Sequence, residues 1–137
     1  MPRFHRRPQF QAKAKVPMTT ESRDRLAIEI RMAGETLIAQ PSIDAYNTVS
    51  KMFAMLVRAG MAGEIVDPGS RIMGAICDRY EQVRTITVEP EEAAALRQVI
   101  ANIDGALPRI PLNRFDRAVA EVEAFFALTN MNQSDES

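Results

Sequence analysis

Through five successive segments of this chain, apolar residues recur every three or four positions, and each segment is bounded by proline, glycine or a small polar residue. That spacing places the apolar side chains on one face of a helix and leaves no stretch with the two-residue alternation of a strand. In the first segment Leu26, Ile30, Ala33 and Leu37 follow steps of four, three and four. Thr19 or Thr20 supplies a hydroxyl to cap its start, and Gln40 before Pro41 ends it, since the residue before proline is steered out of helical geometry. Glu21 with Arg25 and Arg31 with Glu35 stand four apart on the opposite face, the spacing at which charges pair.

Ser42 caps the second segment, where Val49, Met52, Phe53 and Leu56 share a face, and Gly60 closes it. From Met61 to Ser70 the chain holds Gly63, Asp67, Pro68 and Gly69, which reads as a loop. A third helix is predicted from about Ser70 to Arg84 through Ile72, Ile76, Tyr80 and Val83. The four β-branched residues Thr85 to Val88 form a short extended link. Thr87 is placed to cap the fourth helix, with Pro90 and the acids Glu89, Glu91 and Glu92 in its first turn and Leu96, Val99, Ile100, Ile103 and Leu107 on its buried face. Pro108 to Pro111 forces a break. Asn113 is then a cap for a final helix carrying Phe115, Val119, Val122 and Phe126, with Arg117 and Glu121 paired on its wet face.

The fold class expected is therefore all-α, a compact bundle of four to five helices over residues 19–129. A disordered basic arm over 1–18 precedes it and a frayed acidic tail over 130–137 follows. At 137 residues and 46% hydrophobic, the chain suffices for one domain with its own core. Its single cysteine, Cys77, cannot form an internal bridge, and a small domain without disulfides fits a reducing compartment. No apolar run follows the basic N-terminus as a secretory signal requires, and none is long enough to span a bilayer. A cytoplasmic protein without a membrane partner is expected.

The formal charge of −1 hides an uneven distribution. Residues 1–15 hold Arg3, Arg6, Arg7, Lys13 and Lys15 and no acid, while the remainder holds 12 basic and 18 acidic side chains, so an arm of +5 is set against a body of −6. Pro2, Pro8 and Pro17 keep the arm extended. Two roles compete for it. As a tether, its cations neutralise phosphates or an acidic protein surface while Phe4 and Phe10 stack on bases or anchor in a groove. As a leader, it is solvated or folds back on the acidic body.

Composition argues against several chemistries. Neither glycine-rich phosphate-loop pattern occurs. His5 and Cys77 stand about seventy residues apart, poor material for a metal site, and a histidine on a disordered arm cannot be held as a catalytic base. No cofactor, metal or catalytic residue is expected. Asp78 with Glu81, and Glu121 with Glu123, are the acid pairs worth weighing, and both read as solvated helix faces. Cys77 among apolar neighbours reads as a small hydrophobe. Of the eight methionines, Met52, Met55, Met61 and Met73 cluster around the second and third helices, either filling the core or forming an adaptable surface for a protein partner or a second copy. A DNA-reading helix-turn-helix is disfavoured because the gap after Gly60 is longer than the usual turn of about three to four residues, and because Asp78 and Glu81 sit on the third helix.

The proline-containing basic arm, the capped turn Pro41-Ser42-Ile43-Asp44-Ala45-Tyr46-Asn47, the run Asp78-Arg79-Tyr80-Glu81 and the helix opening Thr87-Val88-Glu89-Pro90-Glu91 together resemble a loose class of small helical proteins encoded by prophages and mobile elements of proteobacteria. That resemblance implies a non-enzymatic protein that binds a host or element-encoded macromolecule, as a regulator or as an inhibitor of a defence system. Protein–protein interaction is the leading expectation. A nucleic-acid-associated accessory factor or transcriptional regulator using the arm is the alternative.

Overall fold

The computed structural model describes the backbone of residues 16–136 and side chains through Leu128. Arg3, Phe4, Arg6, Arg7, Phe10, Lys13 and Lys15 lie outside the described residues. Among the described residues five α-helices make up the fold: α1 (Thr20–Ala39), α2 (Ile43–Arg58), α3 (Gly63–Val83), α4 (Pro90–Ala106) and α5 (Leu112–Glu136), with a 3-10 turn at Leu107–Arg109. Helix α1 packs on α2, α2 on α3, α3 on α4 and α4 back on α1, which closes a four-helix bundle. Of those four helices the fifth packs on α2, and it lies outside the ring. No strand occurs among the described residues.

The helices start and stop for local reasons. Thr19 Oγ1 accepts from the Ser22 amide at 3.1 Å and Ser42 Oγ from the Ala45 amide at 3.0 Å, each satisfying a donor that the first turn leaves unpaired. At the end of α2, Gly60 takes a φ of 102°, a left-handed turn that a side chain resists. That turn lets the Met61 amide reach back to the Leu56 carbonyl at 3.0 Å and buries the Met61 side chain.

Leu37, Leu56, Val66, Ile76, Leu96, Ile103 and Leu107 are almost entirely shielded from water. They come from all four ring helices and the 3-10 turn, and each such side chain contributes roughly 1.5–3 kcal/mol relative to exposure. Two glycines permit the closest approaches. A Cβ at Gly34 would collide with Ile100 of α4, and one at Gly69 would stand 2.7 Å from Phe53 and 3.0 Å from Val99. At Gly34 the Ile100 terminal methyl would have to swing aside, whereas a bulkier residue at Gly69 would press α3 against the Phe53 ring and Val99.

Several local expectations are corrected. Residues 63–69 form the first two turns of α3 and not a loop, although Pro68 removes one internal hydrogen bond. Val66, Gly69, Met73 and Ile76 continue a three-four-three spacing through that stretch, and their burial holds it helical against the local punctuation. Glu89 caps α4 in place of Thr87, its amide donating to the Glu92 carboxylate at 2.8 Å. Thr87 Oγ1 instead accepts from Arg79 Nε at 2.8 Å. Asn113 lies inside the first turn of α5 and does not cap it.

Glu21 pairs with Arg25 at 3.4 Å as expected, but the other two intrahelical pairs are exchanged for contacts between helices. Glu35 takes Arg97, Arg31 takes Asp104, and Glu121 takes Arg58. The α5 backbone continues to Glu136, past the expected boundary at Thr129, because neither proline nor glycine follows Pro111. Within the expected arm, Val16 and Met18 are held. Val16 bonds to the start of α5, and Met18 packs on the core.

Candidate binding groove

Because α5 packs on α2 and not on α1 among the ring helices, its flank facing α1 leaves a trough between three helices. The trough encloses about 490 Å³, within the range of about 300–1,000 Å³ typical of ligand sites. Its floor is Leu26 and Ile30 of α1 with Met55 and Leu56 of α2, all buried. Half-buried Met52, Phe115 and Val119 form its walls. These positions follow from the periodicity: each face that points to the core also borders the gap between α1 and α5.

Charge lines the rim. Exposed Glu29 of α1 and Asp116 of α5 both line the trough, and neither pairs with a cation among the described residues. At the far end Lys51 bonds to Glu123 at 3.3 Å and lies 5.8 Å from the Phe126 ring centroid, so its charge is neutralised within the protein. A smaller hollow of about 150 Å³, lined by Met18, Arg25 and Leu112, adjoins the other end and shares Leu26, Glu29, Phe115 and Asp116 with the main trough; the Arg25 guanidinium is paired with Glu21 at 3.4 Å. Together they form one groove running along α5 from its first turn.

Of the methionines singled out in the sequence, Met55, Met61 and Met73 are buried and Met52 is half-buried. They do not make an exposed patch. Met61 and Met73 fill the core, while Met52 and Met55 border the groove from beneath. The sequence reading missed Glu29 and Asp116, which carry no motif and become notable only when two helices far apart in sequence bring them to one rim.

The other residues weighed for chemistry are dispersed. Asp78 and Glu81 are exposed on α3, and Glu121 and Glu123 are tied to Arg58 and Lys51. No group of three or more metal-ligating side chains occurs among the described residues. Cys77 is half-buried beside Tyr46, whose hydroxyl donates to the Met73 carbonyl at 3.0 Å. Burial is the main cause that pushes the Tyr46 phenol above its ordinary value, with the nearby Cys77 adding to it.

The spacing objection to a helix-turn-helix falls, since only Ala59 to Ala62 separate α2 from α3. The charge objection stands. Helix α3 carries four acids against Arg71 and Arg79, and Arg79 is occupied by Glu92 and Thr87. No helix among the described residues is long and apolar enough to cross a membrane. Comparison with family models, curated proteins and solved structures finds no match.

Proposed function

We propose that this chain is a non-enzymatic binding protein whose α1–α2–α5 groove receives an apolar, positively charged segment of a protein partner. The observation carrying this reading is the combination of a methionine-bordered apolar floor with Glu29 and Asp116 on the rim. Apolar anchors from an amphipathic segment enter such a floor, and flexible thioethers adapt to their shape. Basic residues flanking those anchors would meet the two acids, which adds specificity and speeds encounter more than it adds affinity. The arrangement of arm and helix caps supports placing the chain with mobile-element products that act on a host or element-encoded macromolecule.

Site-specific photo-crosslinking in a bacterial lysate tests the proposal. A photoreactive residue at Val119, inside the groove, is expected to capture a discrete protein, while the same residue at exposed Gly74 on α3 is not. Equal capture from both positions, or none from Val119, would refute it.

A further inference from the structure

We infer that, before a partner arrives, the groove is occupied by the chain's own residues 1–15, with Phe10 over Met52 and Met55. This rests on the proposed function and names the occupant.

The point of departure is the first argument. Val16 is fixed at the head of the groove: its amide donates to Asn113 Oδ1 at 3.1 Å, and its carbonyl accepts from the Leu112 amide at 2.6 Å. Both partners belong to the first turn of α5, the helix that walls the groove. The segment preceding Val16 therefore joins the body beside the trough.

Reach is the second. From Leu112 to Val119 is seven helical rises, about 10 Å. Phe10 lies six residue steps before Val16, and an extended chain covers up to about 20 Å in that distance. Phe10 thus reaches as far along α5 as Val119, which lines the trough together with Met52 and Met55, without full extension.

Charge is the third. The arm carries five cations and no acid, whereas the groove's Glu29 and Asp116 lack cationic partners among the described residues. Lys13 and Lys15, nearest the point of departure, stand at the right distance along the chain for the shared rim of the two hollows. An apolar anchor flanked by cations is the chemistry the groove selects, and the chain supplies one within tether length, where effective concentration is in the millimolar range. A partner of the same chemistry must displace the arm, which makes the arm a built-in competitor.

Methionine-methyl resonances of the full chain read this directly, since Met52 and Met55 border the groove while Met32 and Met73 lie elsewhere. Removing the aromatic ring by Phe10→Ala is expected to shift the Met52 and Met55 methyls and leave Met32 and Met73 in place. Raising salt from about 50 mM to about 0.5 M is expected to move the same two signals, because screening weakens the arm's charge contacts. Met52 and Met55 signals unmoved by Phe10→Ala would overturn the inference. A peptide of residues 1–15, added to the Phe10→Ala chain, then separates the two readings. If it shifts Met52 and Met55, the groove still binds basic apolar segments although its own arm does not dwell there. If it too leaves them unmoved, the groove reading falls as well.

Discussion

Val16 and Asn113 are 97 positions apart in the sequence and joined by a hydrogen bond of 3.1 Å from backbone amide to side-chain oxygen. With the return bond from the Leu112 amide to the Val16 carbonyl, the contact fastens the N-terminal segment to the first turn of α5. We expect Asn113→Ala to lower stability by about 0.5–1.5 kcal/mol, the usual net worth of one hydrogen bond, and to speed exchange of the Val16 amide. Asn113→Asp retains the acceptor and should restore most of the protection. Hydrogen exchange followed by NMR measures both.

The glycines divide into two opposed sets. At Gly69 a methyl group would press on Phe53 and Val99, so Gly69→Ala should destabilise by about 1–3 kcal/mol. Gly74 stands in the same helix with nothing within 4 Å of an added Cβ, and Gly74→Ala should stabilise by about 0.5–1 kcal/mol. Urea denaturation of the two variants checks the sign of each.

Arg79 holds the link between α3 and α4. Its guanidinium donates to the Thr87 carbonyl at 2.8 Å and to the Glu92 carboxylate at 2.5 Å, and Glu92 also accepts from the Glu89 amide. Burial acts to raise the Glu92 carboxyl, but the bonds from Arg79 and Glu89, with the attraction of Arg79, outweigh it and hold the group below its usual value. A carboxyl lowered by folding contributes stability that is fully present above its unfolded value of about 4.3 and is lost as pH falls through the lower folded value. Thermal melts should therefore decline below about pH 5, and Glu92→Gln should flatten that decline. An equal slope in both proteins would remove Glu92 as its source.

How much of this was legible in the sequence depends on what each residue answers to. Apolar spacing specified the helix faces, and Thr19, Ser42 and Gly60 marked their ends, because these effects act within one or two turns. Residues 63–69 misled: Gly63, Pro68 and Gly69 signal a turn locally, whereas Gly69 serves a contact with Phe53 sixteen positions earlier. The exchange of Glu35 from Arg31 to Arg97 has the same origin, since a partner on another helix offers two bonds of 2.8 and 2.9 Å. The groove lay beyond reach for that reason as well. Leu26, Met52, Phe115 and Val119 all appeared as core positions, and only the placement of α5 on α2 and away from α1 turns their shared border into a trough.

The groove's electrostatic character is tested most directly by reversing its rim. With a photo-crosslinker at Val119, the chain carrying Glu29→Lys and Asp116→Lys should capture its partner at least about tenfold less than the unreversed chain, a change of roughly 1.4 kcal/mol in binding. Reversing Asp78 and Glu81 on the exposed face of α3 alters net charge by the same amount and should leave capture unchanged. Equal losses from both reversals would contradict a local site, and undiminished capture after reversal of Glu29 and Asp116 would show that these acids do not recognise the partner.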